Sequence, residues 1–205
     1  MDGPAGQPKR GRKYAEVLAG AREVFLSDGF EGASVDTIAR AAGVSKATLY
    51  SYFPDKRLLF MEVARCECGR QAEAAVALID LAAPPRQVLT EAARRMVGFF
   101  LSDFGQRVFR ICVAEADRFP EFGRAFYESG PALVRAQLAA YLAAAAGRGE
   151  LAVDDIALAA DQFAELCKAD LFARMIFGVA ATFTEAERRR VIDGAVETFL
   201  ARYGA

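Results

Sequence analysis

Apolar residues recur at intervals of three and four almost from end to end of this 205-residue chain, and no stretch of convincing length alternates apolar with polar. A period near 3.6 lines one face of a helix, and a period of 2 lines one face of a strand. The pattern therefore predicts an all-α fold. Val17, Leu18, Ala21, Val24 and Phe25 mark a first helix that Gly29 stops. Val35, Ile38, Ala39 and Ala42 mark a second, short one, with Ser34 as its N-cap. Gly43 supplies a residue able to take positive φ for a tight turn. Ser45 caps a third helix running to about Phe53, with Leu49 and Phe53 facing inward, and Pro54 ends it. Asp55 caps the next.

Helices are expected further on over 56 to about 80, 86 to 103, 106 to about 116, 121 to 146 with a break at Gly130-Pro131, 154 to about 178, and 184 to about 203. Thr184 and Glu187 have capping-box spacing. The whole reads as about nine helices. Three parts are expected: a flexible basic arm over 1–12, a three-helix helix-turn-helix unit over 13–57, and a larger helical domain over 58–205.

Hydrophobic residues make up 54% and charged residues 26%, a composition that buries a core. The net charge is -1, so the chain as a whole does not coat a polyanion. The charge divides unevenly, with nine Lys or Arg against seven Asp or Glu in residues 1–57 and an acidic excess beyond. The chain has no histidine, which removes His-based triads, His-ligated zinc and a histidine pH switch. No metal site and no cofactor are expected.

Of the cysteines, Cys66 and Cys68 lie about 200° apart around a helix and share no ligand face. Cys112 and Cys167 are isolated in sequence. Buried reduced thiols and a thiol switch through Cys112 or Cys167 are both open readings. The N-terminus has no apolar run after its positive charges, and no apolar stretch is long enough to span a bilayer. A cytoplasmic protein without membrane contact is expected.

The segment SVDTIARAAGVSKATLYSYF, residues 34–53, carries the functional signal. Two short helices joined through Ala42-Gly43-Val44 make a helix-turn-helix. The third helix leaves Lys46, Ala47, Tyr50 and Ser51 outward, with Thr48 and Tyr52 nearer its edges. Lysine can donate to guanine acceptors, Ala and Thr methyl groups can meet the thymine methyl, and hydroxyls can reach phosphates. The start of that helix at Ser45 and Lys46 offers backbone N–H groups to a phosphate. Tyr50 and Tyr52 also fit a second reading as packing aromatics, and Lys56 a second reading as a solvated lysine. Double-stranded DNA is the expected partner.

These residues resemble the DNA-binding domain of the TetR family of bacterial transcriptional repressors. The resemblance rests on Gly29-Phe30, Ser34-Val35, Ile38-Ala39, Ala42-Gly43-Val44-Ser45, Thr48-Leu49-Tyr50-Ser51-Tyr52-Phe53 and Lys56. It implies that residues 46–52 enter the major groove, with Lys46, Ala47 and Thr48 toward the bases. Tyr50, Ser51 and Tyr52 would be divided between base edges and backbone, and Lys56 would hold a phosphate. Ser34 and Val35, at the start of the second helix, join the expected DNA-facing set. The arm Lys9-Arg10-Gly11-Arg12-Lys13 either adds DNA contacts or is only a solubilising tail.

The stretch from Arg110 to Gly149 is similar to the C-terminal domain of the AefR-like subgroup, through Glu115, Arg118-Phe119-Pro120, Phe126, Gly130-Pro131 and Gly149-Glu150-Leu151. The resemblance implies a homodimer formed by the last two helices, a palindromic operator, and a small, mainly apolar effector. Ala157, Ala160, Ala164, Leu171, Val191, Ala195 and Phe199 are the expected dimer face. Met96, Phe99, Phe100, Phe104, Phe109, Cys112, Phe122, Phe126, Tyr141 and Phe163 are the expected pocket lining, with Arg110, Glu115 and Tyr127 as polar anchors. Each aromatic residue fits a filled core as well as a lined cavity. An effector-independent regulator with a filled core is the alternative.

Overall fold

The computed structural model describes residues 11–76, 80–117 and 119–205. Those residues form helices α1 (Arg12–Gly32), α2 (Val35–Ala41), α3 (Lys46–Tyr52), α4 (Lys56–Val76), α5 (Pro85–Phe100), α6 (Asp103–Glu115), α7 (Pro120–Ser129), α8 (Pro131–Gly147), α9 (Ile156–Leu166), α10 (Leu171–Ile176) and α11 (Glu185–Tyr203). The fold is all-α. The break expected at Gly130-Pro131 is present, and the stretch expected as one helix over 154 to about 178 is divided. Gly130 leaves helical geometry between α7 and α8, and Asp170 takes φ 62° between α9 and α10.

The chain separates into two compact units, residues 1–67 and 68–205, with the division inside α4. In the first unit α1 carries a kink rather than a plain end. Gly29 sits at φ 71°, and one further turn follows it. Val17, Ala21, Val24 and Phe25 from α1 meet Ile38, Ala39 and Ala42 from α2 and Leu49 and Phe53 around α3, all buried. Gly20 is required where α1 crosses α2, because a Cβ there would stand 2.4 Å from the Ala42 backbone nitrogen.

The first three turns of α4 belong to this unit. Phe60 meets Phe25 edge-on at 5.1 Å, the Tyr14 hydroxyl donates to Glu62 at 2.7 Å, and Arg22 pairs with the buried carboxylate of Glu67 at 2.7 Å. The sequence reading ends the helix-turn-helix unit at residue 57. Periodicity cannot see these ties, which connect residues 35 or more positions apart.

The second unit is built around one continuous core drawn from α5, α8, α9, α10 and α11. Leu89, Tyr141, Leu142, Phe163 and Phe199 lie at its centre, each at most 1% exposed. Burial of this order is the main force holding the unit together. Asp155 caps α9 by accepting the Leu158 N–H at 2.9 Å. The expected capping box of α11 is present, and the backbone N–H and hydroxyl of Thr184 hold the Glu187 carboxyl below its usual range.

The proposed dimer face needs correction. Ala160, Leu171, Val191, Ala195 and Phe199 are buried within the chain's own core, Ala164 is half-buried, and only Ala157 is exposed. An amphipathic helix has one broad apolar stripe, and here the core takes it.

Candidate nucleic-acid interface and ligand-binding body

Both helices of the helix-turn-helix begin with the same local device. Ser34 Oγ accepts the Thr37 N–H at 3.0 Å, and Ser45 Oγ accepts the Thr48 N–H at 3.1 Å. Each serine hydroxyl also bonds the threonine hydroxyl three residues on. A cap of this kind satisfies one of the N–H groups that a helix start leaves without an intrahelical partner. Gly43, at φ 62°, turns the chain between the two helices.

The turn orients α3 so that Leu49 is 1% exposed and Tyr50 is 48% exposed. Lys46, Ala47, Tyr50 and Ser51 form the outer face, while Thr48 and Tyr52 are half-buried at its edges. Ser34 is exposed and Val35 half-buried at the start of α2. Tyr52 meets Tyr14 edge-on at 5.7 Å, and Tyr14 stacks on Phe53 at 5.5 Å. Tyr52 therefore combines packing with an accessible edge.

Two lysines carry contacts that the sequence did not foretell. Lys56 Nζ donates to the carbonyls of Phe30 at 2.9 Å and Ala33 at 3.1 Å, and lies over the Phe30 ring at 4.4 Å. Its ammonium closes the junction between α1 and α2, leaving one N–H for any phosphate. Lys46 forms an ion pair with Asp36 of α2, and both side chains remain more than half exposed. Asp36 is a functional neighbour that sequence reasoning passed over. The signal lay in its position one residue before the α2 partner of the Ser34 cap. Lys9 and Arg10 lie outside the described residues. Arg12 and Lys13 belong to α1 and pair with Glu16 at 2.7 and 2.9 Å.

The body divides the expected pocket lining. Met96, Tyr141 and Phe163 belong to the filled core. The Tyr141 hydroxyl donates to the Ala83 carbonyl at 2.8 Å, and Phe163 packs edge-on against Phe199 at 5.3 Å, so neither presents a ring to a ligand. Phe99, Phe100, Phe104, Cys112 and Phe126 are half-buried and Phe109 is exposed. The side chain of Phe122 lies outside the described residues. Phe172 of α10 joins Phe100 at 5.9 Å and Phe109 at 5.1 Å into one aromatic wall.

Of the expected anchors, Tyr127 is 52% exposed. Arg110 donates to the carbonyls of Met175 and Ile176, both at 3.0 Å, which ties α6 to the end of α10. The buried polar residue of this region is Gln106, which sequence reasoning missed because a lone glutamine has no pattern. Burial pushes the Cys112 thiol up to about 11 and the Cys167 thiol up to about 12. Both are protonated at neutral pH, which argues against a thiol switch built on them. Among the described residues no group of His, Cys, Asp and Glu is arranged to hold a metal, and no helix is long and apolar enough to cross a membrane.

The comparisons agree with this geometry. Residues 17–63 match the family described as bacterial regulatory proteins, tetR family, and residues 87–205 match the AefR-like transcriptional repressor C-terminal domain. A TetR-family transcriptional regulator from Mesorhizobium loti is 31% identical, with a TM-score of 0.81 and 96% and 99% of the two chains covered. The flavonoid-responsive regulator FrrA is 36% identical, with a TM-score of 0.70 and 95% and 98% covered. The transcriptional repressor AcnR of Corynebacterium efficiens is 41% identical over 58 residues, 28% of this chain and 31% of that protein. The match thus spans less than a third of the curated relative. With an exposed recognition face on α3 and a helical body matched across its length, this chain belongs to the TetR family, whose members are DNA-binding transcriptional regulators and not enzymes.

Proposed function

We propose that the protein is a homodimeric repressor that binds a palindromic operator in the cytoplasm and responds to a small, mainly apolar effector. One observation carries the DNA half of this reading: α3 puts Leu49 in the core and leaves Lys46, Ala47, Tyr50 and Ser51 in the open. A single short helix buries too little surface for selectivity, and two copies about 34 Å apart read successive major grooves. Lys46, Ala47 and Thr48 would meet base edges, with Ser34, Val35, Ser45, Tyr50, Ser51 and Tyr52 on bases or backbone. Lys56 would act mainly by holding the α1–α2 junction.

The dimer would form through the outward sides of α9 and α11. Small residues there, Ala157, Gly194, Thr198 and Ala201, are exposed and allow two helices to approach closely. Similarity to FrrA, described as flavonoid-responsive, and the aromatic wall of Phe100, Phe109 and Phe172 support an aromatic effector. Its binding would favour a dimer whose heads no longer match the operator, a population shift that requires different affinity for two states. The completely buried Tyr141 and Phe163 favour the alternative, an effector-independent regulator with a filled core.

Selection of bound sites from random duplexes tests the DNA reading. Inverted half-sites about 10 base pairs apart or a multiple of that are expected, and a single unrepeated site would remove the dimer. Release of the selected duplex by a compound that binds the body is the corresponding test for the effector. A core that binds no compound favours the alternative.

A further inference from the structure

Gln106 lies one turn into α6 and is 6% exposed. Its Nε2 donates to the Phe100 carbonyl near the end of α5. Its Oε1 is buried and has no hydrogen-bond partner. The amide cannot be reversed to repair this, because the reversed form would set its oxygen against the Phe100 oxygen. A buried acceptor left without a donor is destabilised relative to a satisfied one. The missing partner is therefore a donor, and it comes from outside the chain.

The surroundings say what kind of donor. Gln106 and Phe109 are one turn apart on the same face of α6. Phe109 and Phe100 both meet Phe172 of α10, and Arg110 holds the end of α10 to α6 through the Met175 and Ile176 carbonyls. Gln106 is thus tied through its Nε2 to the backbone of Phe100, whose ring stands in this aromatic wall. Lys168 lies over the Phe100 and Phe172 rings at 5.4 and 6.0 Å, and it pairs with Glu165.

We propose that Gln106 is the polar anchor of the effector site, accepting a hydrogen bond from a phenolic hydroxyl on an aromatic ligand that packs against Phe100, Phe109 and Phe172. The assignment rests on the effector-responsive reading above and adds the ligand's polarity. The ligand must donate; an ether or a carboxylate at that point would leave Oε1 opposed by another acceptor.

The test uses the full chain and three probes, 4-hydroxybiphenyl, its methyl ether 4-methoxybiphenyl, and the flavanone naringenin, titrated by calorimetry. The wild-type protein is expected to bind the phenol about tenfold more tightly than the ether. Gln106→Leu is expected to erase that ratio by weakening the phenol and relieving the ether, and Gln106→Asn to restore part of it. Far-UV circular dichroism of both variants checks the fold. Equal affinities in the wild type overturn the assignment, as would result from an ordered water holding the oxygen. So does a ratio that survives in Gln106→Leu, and so does failure of all three probes to bind. Release of operator DNA is read separately: release by any bound probe keeps the effector reading even where the anchor fails, and binding of a probe without release removes that reading.

Discussion

The two units put their working residues on opposite sides of the same kind of core. In the first, Leu49 on the inner face of α3 joins the core, and the proposed DNA-reading face is what it leaves outside: Lys46, Ala47, Tyr50 and Ser51. In the second, a buried oxygen without a hydrogen-bond partner, Gln106 Oε1, lies inside. A DNA duplex is too large to enter a domain, so its reader must protrude. A small molecule that is to change a domain's shape must reach the packing. The same sequence grammar of helices and caps serves both, and only the direction of the working face differs.

This contrast is broken most directly by charge. Ala47→Glu puts a carboxylate on the outer face of α3 while suiting the positive end of the helix. Repulsion from phosphates is expected to lower operator affinity on the order of 100-fold with an unchanged circular dichroism spectrum. Retained affinity in a binding titration would mean that the duplex meets another surface.

Packing gives the next largest effect, and one type of substitution has opposite signs in the two units. Gly20→Ala forces a Cβ into the Ala42 backbone and is expected to destabilise the first unit by about 1–3 kcal/mol in urea unfolding. Gly98→Ala in α5 meets nothing within 4 Å and is expected to stabilise the second by about 0.5–1 kcal/mol. Equal signs would show that the crossing of α1 and α2 is looser than the Gly20 contact implies.

Lys56→Met sharpens the division within the first unit. Loss of the bonds to Phe30 and Ala33 is expected to cost about 1–2 kcal/mol of stability. The dependence of DNA affinity on salt is expected to change by much less than one phosphate's share. A decrease of about 0.9 in the slope of log affinity against log salt would identify a full phosphate contact instead.

The smallest effect concerns Asp36. Its carboxylate holds Lys46 in the free protein and repels an approaching phosphate. Asp36→Asn is expected to raise affinity for non-operator duplex about two- to fivefold at low salt, within the modest range of exposed ion pairs. Unchanged affinity in fluorescence anisotropy would leave the pair without a role in recognition.

Most of the helix-turn-helix geometry was legible because its signals are local. The Ser34 and Ser45 caps, Gly43 and the four-residue spacing of Leu49 and Phe53 all act within one or two turns, where sequence distance and spatial distance agree. The body was less legible. Ala160, Val191 and Phe199 read equally well as a partner-facing or a core-facing stripe, since periodicity shows that a face is apolar and not what covers it. Tyr141 and Phe163 likewise read as lining or filling until their neighbours were in place.

By itself the sequence determined the helices, the turn between α2 and α3, and the family, because each depends on backbone preferences and short-range spacing. Tertiary structure alone decided that Lys56 serves the α1–α2 junction, that Glu67 is buried against Arg22, and that Gln106 keeps an unmatched oxygen. These are matters of hydrogen-bond satisfaction between residues up to dozens of positions apart. Whether a buried polar atom has a partner is a property of the packed chain, and no residue carries it alone.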